Sequence, residues 1–311
     1  MSSVVARAYS SSANLGAGFD ILSLAHKAYH DEVEAEIVNN EGRGVLIETS
    51  DGIPKETHRN SAGAAVLSML EDLGLKVTVR LKVKKGVPFG LGLGSSGASA
   101  SAAVSAVNEL LGLGLRREDL VKYAMLGEGA VSGSPHPDNV AASLFGGVVA
   151  VVSTSPIRVA QIPVRFAFNL LLIIPRVKPM EGKTRKAREL VPNRVNLSDA
   201  VQNARFISSL ILGLESGNRE LIRLGLNDEI VEKARTPMYP HYPEVKKVAL
   251  ESDAVGVCVS GAGPSVLVFY DKYTDIMGLK DRADNVCKKN GFPCDFIETE
   301  LAGGVQIERI N

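Results

Sequence analysis

The order of hydrophobic and polar residues predicts both strands and helices in the first half of the chain. The segment VTVRLKVKK (77–85) alternates apolar with polar or charged residues, which is the period of a half-buried strand, and 32–38 alternates in the same way. Residues 60–74 instead follow the i, i+3, i+4 spacing of a helix that begins at Asn60 and ends at Gly74. A strand with one polar face is more typical of an antiparallel sheet than of a parallel one.

The second half mixes strands and helices without a strict βαβ alternation, and this favours an α+β fold. Its predicted strands cover 168–174, 254–259, 265–270 and 294–297, and its predicted helices cover 182–190 and 198–214. Near Ser153–Pro163 an apolar run gives way to a segment with two prolines in eight residues. At roughly 150 residues per domain, the 311 residues predict two domains, which we place at 1–158 and 159–311.

Charge and cysteine content exclude several classes of partner. Lys and Arg number 35 and so do Asp and Glu, so no basic excess is present for nucleic acid or an acidic membrane. The apolar runs are far shorter than the ~20 residues that span a bilayer, and the N-terminal segment has no continuous apolar stretch typical of a signal peptide. Three cysteines without C-x-x-C spacing indicate neither a disulfide framework nor a zinc site. We expect a reduced, cytoplasmic protein.

The segment that is most informative about function is rich in glycine, PFGLGLGSSGASASAAVSAVNELLG (88–112). Gly90, Gly92 and Gly94 have no Cβ, so the backbone there can take positive φ and approach a ligand closely. Ser95 or Ser96 is then expected to cap a helix of small residues, whose free N–H groups and dipole would bind phosphate. The alternative is a flexible turn that leads into a tightly packed helix.

Several known phosphate loops do not fit this segment. No lysine lies between Lys85 and Lys122, which excludes a Walker A loop. Gly92–Gly97 matches G-x-G-x-x-G, but the preceding strand is amphipathic and the acidic residues about 20 positions on lie at a helix start. A dinucleotide-binding oxidoreductase is therefore disfavoured. The later signature motifs of protein kinases are missing as well.

The segment instead resembles the P-x-x-x-G-L-G-S-S motif of the GHMP small-molecule kinases. Two more segments match that family in the same order, SSANLGAGFD (11–20) and SGAGPSVLVF (260–269). The resemblance implies an α+β fold with two domains, the first like ribosomal protein S5 and the second ferredoxin-like. It also implies that ATP and Mg²⁺ are used, and it favours a homodimer.

Two segments are most similar to the homoserine kinase branch of the family. SSSANLGAGFD (10–20) looks like its version of the first motif, and 128–147 is similar to E-G-x-x-S-G-S-x-H-Y-D-N-V-A-P. Pro137 for the usual Tyr and Ser143 near the usual Pro are the departures. The resemblance implies phosphorylation of the homoserine hydroxyl. Another GHMP kinase, of the shikimate or mevalonate type, and a non-catalytic ligand sensor with this fold are the alternatives.

The resemblance also implies a nucleotide site and a metal site. The expected ATP-binding residues are Asn60, Pro88, Phe89, Gly90, Leu91, Gly92, Leu93, Gly94, Ser95, Ser96, Gly97 and Ala98. Asn60 would contact the nucleoside, although a helix N-cap is an equally good interpretation. Ser96 and Glu128 would hold magnesium, with a plain helix-surface carboxylate as the alternative for Glu128.

Further residues are implied for the substrate. GKTRKARELVP (182–192) resembles the family segment S-T-x-x-A-R-x-x-L-P, and DEIVEKAR (228–235) resembles D-x-I-V-E-P-x-R. From these segments we select Arg185 and Arg235, because a guanidinium binds a carboxylate bidentately. Lys183, Lys186 and Arg188 are alternatives to Arg185. The remaining expected pocket residues are Asn14, Asp20, His136, Asp138, Asn139 and Gly261. Asp138 would orient the substrate or accept its proton, so Asp138 and Arg235 are the candidate catalytic residues, while Asn14 and Asp20 could instead stabilise a turn.

Overall fold

The computed structural model describes residues 3–49, 52–178 and 182–310. The strands within these ranges are β1 (Ser3–Asn14), β2 (Gly18–Asn39), β3 (Gly44–Glu48), β4 (Thr78–Lys84), β5 (Val148–Thr154), β6 (Ile157–Ile162), β7 (Asn169–Pro175), β8 (Gly256–Val259), β9 (Val266–Tyr270), β10 (Cys294–Thr299) and β11 (Gln306–Ile310). The helices are α1 (Ser61–Asp72), α2 (Ser95–Leu110), α3 (Arg117–Ser132), α4 (Pro137–Phe145), α5 (Lys183–Glu189), α6 (Leu197–Ser216), α7 (Arg219–Gly225), α8 (Val231–Arg235), α9 (Tyr242–Glu251) and α10 (Ile276–Lys289). None of the helices in these ranges is long and apolar enough to cross a membrane.

The first sheet has the strand order β11-β1-β2-β4-β3, and the β5–β6 hairpin attaches to β2. All of its pairs are antiparallel except β3 with β4. The small residues of α2 are buried from Ser95 through Val107 except for Ser96, so this helix lies in the core against its neighbours. A Cβ on Gly127 of α3 would collide with the Ser61 carbonyl of α1, so glycine permits close packing of these two helices.

The second sheet has the order β10-β7-β9-β8 and is antiparallel throughout. Its strand β7 is buried on both faces. Leu170 and Leu172 belong to the large core shared with the first sheet, while Leu171 and Ile173 pack in a second core that includes residues of α9 and α10. Burial on both faces explains why β7 reads as an unbroken apolar run.

The strands do not divide at the predicted boundary. The position 158/159 falls inside β6, which pairs with β5 in the first sheet, and the chain enters the second sheet at Asn169. The last strand, β11, returns to the first sheet and pairs with β1. The mixed α+β architecture itself is as predicted.

The cysteines depart from expectation. Cys287 at the end of α10 and Cys294 at the start of β10 form a disulfide, with Cα atoms 6.0 Å apart, while Cys258 is buried and unpaired. The expectation of a reduced protein, with no disulfide framework indicated, therefore does not hold for this pair. The seven-residue separation carries no signal by itself, because pairing depends on how the chain turns back after the helix.

Candidate active site

A cavity of about 510 Å³ opens where the loops of the two sheets meet. Its wall combines the β1–β2 turn, the glycine-rich loop with the start of α2, the end of α3 with the start of α4, α5, and the segment around 261. The predicted residues in the wall are Asn14, Asp20, Pro88, Phe89, Gly90, Gly92, Leu93, Gly94, Ser95, Ser96, Gly97, Glu128, His136, Asp138, Asn139, Arg235 and Gly261. Asn60, Leu91, Ala98 and Arg185 lie outside it.

The β1–β2 turn has an unusual backbone. Asn14, Leu15 and Asp20 all have positive φ, at 75°, 45° and 60°. Side chains other than glycine rarely adopt this region, and such residues cluster at functional sites. The Asn14 amide donates to the Gly261 carbonyl at 2.8 Å, so the turn is joined to the loop between β8 and β9. Asn14 and Asp20 therefore flank the turn with left-handed backbone, and both face the cavity.

The glycine-rich loop is wedged against the same β8–β9 loop. A Cβ on Gly92 would collide with the Ser260 carbonyl oxygen and would lie 2.7 Å from that of Gly263. The Ser260 hydroxyl also donates to the Gly92 carbonyl at 2.7 Å. Only glycine permits this approach at a φ of +81°.

The residue that caps α2 differs from the prediction. Gly94 is the N-cap, with a φ of +69°, and a Cβ there would collide with the Ser11 hydroxyl oxygen. The Ser95 hydroxyl donates instead to the Val87 carbonyl at 2.8 Å. The first intrahelical bond runs from the Ala98 N–H to the Gly94 carbonyl at 2.9 Å. The N–H groups of residues 95–97 precede this bond, so they face the cavity end of the helix.

A buried ion pair beneath the loop was missed by the sequence analysis. The Asp31 carboxylate accepts from the Gly86 and Val87 N–H groups, each at 2.9 Å, and from the Ser99 hydroxyl at 2.6 Å. The Lys85 ammonium donates to the same carboxylate and to Ser99. Asp31 thereby joins the chain entering the loop to the first turns of α2.

Two buried carboxyl groups face the cavity from α3 and α4. Burial raises the pKa of Glu128 to about 7, and its Oε2 atom has no hydrogen-bond partner among the described residues. Burial, and secondarily the charge of Asp20, raises the pKa of Asp138 to about 6. Glu128 is thus no plain surface carboxylate.

The donor atoms at this end suit a hard divalent cation. Glu128 and Ser96 line the same cavity and offer a carboxylate and a hydroxyl, the oxygen ligands that such ions prefer. No group of three or more His, Cys, Asp and Glu residues in the described ranges forms a complete metal site. A cation here would take its remaining ligands from a phosphate or from water.

Another wall of the cavity is basic and is organised around one aromatic ring. The guanidinium carbons of Arg188 and Arg235 lie 4.9 and 5.0 Å from the centre of the Phe19 ring. Arg188 donates to both carboxylate oxygens of Asp20, at 2.7 and 2.9 Å, and lies 3.1 Å from Nδ1 of His136. Arg235 is 4% exposed, and burial lowers its pKa.

Arg185 does not reach this wall, and Arg188 takes the position expected for it. The Arg185 side chain is 76% exposed and lies 3.9 Å from Glu189, one helical turn away. Thr184 and Arg188, four residues apart, share the face of α5 that lines the cavity. The family pattern S-T-x-x-A-R contained the signal, because its A-R pair coincides with Ala187 and Arg188.

Asn60 acts as a helix cap. Its side-chain oxygen accepts from the Ala62 and Gly63 N–H groups at 3.0 and 3.2 Å, and its amide donates to the Pro54 carbonyl at 2.8 Å. The N-cap interpretation is therefore the one that the structure supports. Pro54, which Asn60 holds in place, lines the cavity.

Comparison with known proteins identifies the class to which this fold and cavity belong. The family model for the GHMP kinases N terminal domain matches residues 60–147, and the model for GHMP kinases C terminal matches 210–289. The chain belongs to the GHMP kinase family. A homoserine kinase of Saccharolobus islandicus is 55% identical over 306 residues, which cover 98% of both chains, and one of Sulfolobus acidocaldarius is 55% identical over 305 residues, 98% of this chain and 99% of the other.

A solved structure agrees with these sequence relatives. The crystal structure of homoserine kinase from Cytophaga hutchinsonii has a TM-score of 0.88 at 32% identity, covering 98% of this chain and 97% of that one. The predicted GHMP fold, and the resemblance to homoserine kinases within that family, are confirmed. As a member of this kinase family, the protein acts on a small molecule with ATP.

Proposed function

We propose that the protein is a homoserine kinase, which transfers the γ-phosphoryl group of ATP to the side-chain hydroxyl of L-homoserine. The products would be O-phospho-L-homoserine, on the route to threonine, and ADP. One observation carries the proposal: a single cavity is lined both by a glycine-rich helix N-terminus and by the buried Arg235 and the half-buried Arg188 together with two aspartates. That combination suits a polyphosphate and a zwitterion held side by side.

The nucleotide end relies on backbone groups. The N–H groups of residues 95–97 would bind the β- and γ-phosphates, assisted by the dipole of α2. Phe89, which is 61% exposed at the cavity wall, offers an aromatic face for the adenine. Asn60 would act on the nucleoside only through Pro54.

Ser96 and Glu128 would hold a magnesium ion. The buried, unpartnered Oε2 atom of Glu128 supports this assignment, because a cation would offset the cost of ionising that carboxyl group. When bound, the ion neutralises charge on the phosphates. In this proposal Glu128 is ionised and accepts no proton from the substrate.

The basic wall would hold the amino-acid end of homoserine. Arg235 would bind the α-carboxylate, while Arg188, already paired with Asp20, orients that aspartate toward the substrate ammonium. Asn14, His136, Asn139 and Gly261 complete the pocket. The hydroxyl oxygen then attacks the γ-phosphorus as the bond to ADP breaks, and the hydroxyl proton passes to Asp138 or to a phosphate oxygen. Alignment of the two reactants alone can supply ~7 to 11 kcal/mol, so a dedicated base is not required.

ADP release in a coupled assay tests the proposal. Homoserine, mevalonate, galactose and shikimate are compared with Mg-ATP, and we expect turnover with homoserine far above that with the others. Good turnover with another alcohol and none with homoserine would refute the substrate assignment and retain the kinase. No ADP with any alcohol, together with tight homoserine binding, would favour the ligand sensor.

The proposal also includes a homodimer and a cytoplasmic compartment. Leu197, Val201 and Leu212 lie on one side of α6 and are 79%, 40% and 56% exposed, as a subunit interface would require. ATP as a co-substrate favours the cytoplasm, and the net charge of zero disfavours nucleic acid and membranes. Light scattering of the purified protein would give the mass, and a monomer at all concentrations would refute the dimer.

A further inference from the structure

Lys183 is a buried charge that the proposed reaction does not yet use. Its side chain begins α5, is 8% exposed and lines the cavity. The ammonium donates to the Gly263 carbonyl, which uses one of its three N–H donors. Burial, followed by the charge of Arg235, lowers the pKa of Lys183 to about 7. A buried ammonium in this position is stabilised by an anion.

The partner of Lys183 places it against the glycine-rich loop. The Gly263 carbonyl oxygen would lie 2.7 Å from a Cβ on Gly92, and the Ser260 hydroxyl holds the Gly92 carbonyl from the same side. Gly92, Ser96 and Lys183 all line one cavity. The ammonium, which belongs to the C-terminal half of the chain, therefore lies beside the glycine-rich loop.

The two arginines of the basic wall already have anionic partners, so Lys183 needs an anion of its own. Arg188 is paired with Asp20, and Arg235 is assigned to the substrate carboxylate. No carboxylate of the described residues lies within 4.0 Å of the Lys183 ammonium, which has only the neutral Gly263 carbonyl as its hydrogen-bond partner there. The glycine-rich loop itself contains no lysine, since none occurs between Lys85 and Lys122. A phosphate bound over that loop would supply such an anion.

We infer that Lys183 binds the γ-phosphate of ATP across the glycine-rich loop. It then supplies, from α5, the side-chain cation that the loop lacks. The inference deepens the proposed kinase function and rests on it for ATP, but it is independent of which alcohol is phosphorylated. As the γ-phosphorus moves from ADP to the hydroxyl oxygen, the ammonium stays on its non-bridging oxygens and transfers no proton.

Equilibrium binding of two nucleotides tests this contact without any alcohol. Titration calorimetry with Mg²⁺ measures the affinity of the wild type and Lys183→Met for ADP and for a non-hydrolysable ATP analogue. We expect the variant to lose about tenfold to a hundredfold in affinity for the triphosphate, as for a charged hydrogen bond, while its ADP affinity stays within about twofold. Lys186→Met, an exposed lysine on the same helix, is the matched control and should change neither affinity. An equal loss for both nucleotides, or no loss, would overturn the inference.

Kinetics and chemical labelling give independent readouts. With homoserine and saturating ATP, Lys183→Met should lower kcat about tenfold or more and leave the homoserine KM within about threefold. A raised homoserine KM with an intact preference for triphosphate would assign Lys183 to the substrate carboxylate and overturn the inference. If the variant does not fold, mass spectrometry of the acetylated wild type decides: the ATP analogue should protect Lys183 and ADP should not, and equal protection would refute the contact.

The outcomes separate this inference from the proposed function. If Lys183→Met loses its preference for the triphosphate and the wild type does not phosphorylate homoserine, the substrate assignment is refuted and the contact is retained. If the wild type phosphorylates homoserine and Lys183→Met keeps its preference for the triphosphate, the function is retained and the contact is refuted.

Discussion

The buried Asp31–Lys85 pair beneath the glycine-rich loop gives a test of what holds this loop in position. Asp31 is fully buried and Lys85 is 12% exposed, and the Asp31 carboxylate also accepts from two backbone N–H groups and a serine hydroxyl. Asp31→Asn keeps the size and one acceptor oxygen of the side chain. It removes the charge and turns an amide N–H₂ toward the Lys85 ammonium, so donors face donors.

The burial of the pair determines how much Asp31→Asn should destabilise the protein. Removing one partner of a buried ion pair costs about 3 to 5 kcal/mol, because the other charge stays buried. With an unfolding entropy of about 2.1 cal/mol/K per residue, the melting temperature of a chain of this length should fall by about 5 to 8 °C if it unfolds as one unit. The affinity for ADP should also fall, because Asp31 joins the entry to the loop with the first turns of α2.

A double-mutant cycle isolates the pair. Melting temperatures are measured for Asp31→Asn, Lys85→Met and the double variant, with Glu300→Gln in the exposed Lys27–Glu300 pair as the control. The double variant should be less destabilised than the sum of the two single variants, since each single change leaves a charge unpaired. Glu300→Gln should hardly shift the midpoint. Strictly additive effects, or a fall of less than about 1 °C in Asp31→Asn, would refute the reasoning.

Three further changes have defined outcomes. Arg235→Leu should raise the homoserine KM about tenfold to a hundredfold and leave the ATP KM nearly unchanged in steady-state kinetics. Arg185→Leu, at an exposed position, is the control and should change neither KM. Equal losses for both substrates in Arg235→Leu would make Arg235 a structural residue. Glu128→Gln should raise the melting temperature of the metal-free protein more at pH 8 than at pH 5. Burial raises the pKa of Glu128 from 4.5 to about 7, so the carboxyl group contributes stability below pH 4.5 that is lost as the pH rises through 7. An equal gain at both pH values would contradict this. Gly94→Ala should weaken ADP binding and lower the free energy of unfolding by more than the ~1 to 2 kcal/mol of a left-handed alanine, since a Cβ also collides there. Gly112 has positive φ and open space around it, so Gly112→Ala measures the backbone cost alone. Equal destabilisation by the two changes would refute the collision.

Local features of this fold could be predicted because they depend on short stretches of chain. The helix that begins at Asn60 and the alternating strand at 77–85 follow directly from residue order. The three glycines of the glycine-rich loop predict a close approach of the backbone, and two of them do have neighbours that leave no space for a Cβ. Its cap was predicted at a serine, although the residue with the required left-handed backbone is Gly94.

Other features depend on contacts between distant residues, which the sequence does not display. Asp31 and Lys85 are 54 positions apart and read separately as charges on alternating strands. The return of β11 to β1 joins the two ends of the chain, and no periodicity indicates such a pairing. The correct choice between Arg185 and Arg188 depends on which face of α5 meets the cavity. The order of residues in the family pattern nevertheless favours Arg188.

The balance of charge in the cavity explains why its ligands should bind together. Glu128 and Asp138 have raised pKa values, and Lys183 and Arg235 have lowered ones, with burial as the largest cause in each case. Opposite charges at these positions would relieve the cost of burial if they paired, as Arg188 and Asp20 do. The structure shows no such ion pair for these four groups among the described residues. Three of them would instead be complemented by a ligand of opposite charge: Glu128 by a metal ion, Lys183 by a phosphate and Arg235 by a carboxylate. Asp138 would lie at the hydroxyl group that reacts. A protein with no net charge can in this way bind a polyanion and a zwitterion at once, because these four charged groups line the cavity without pairing with one another.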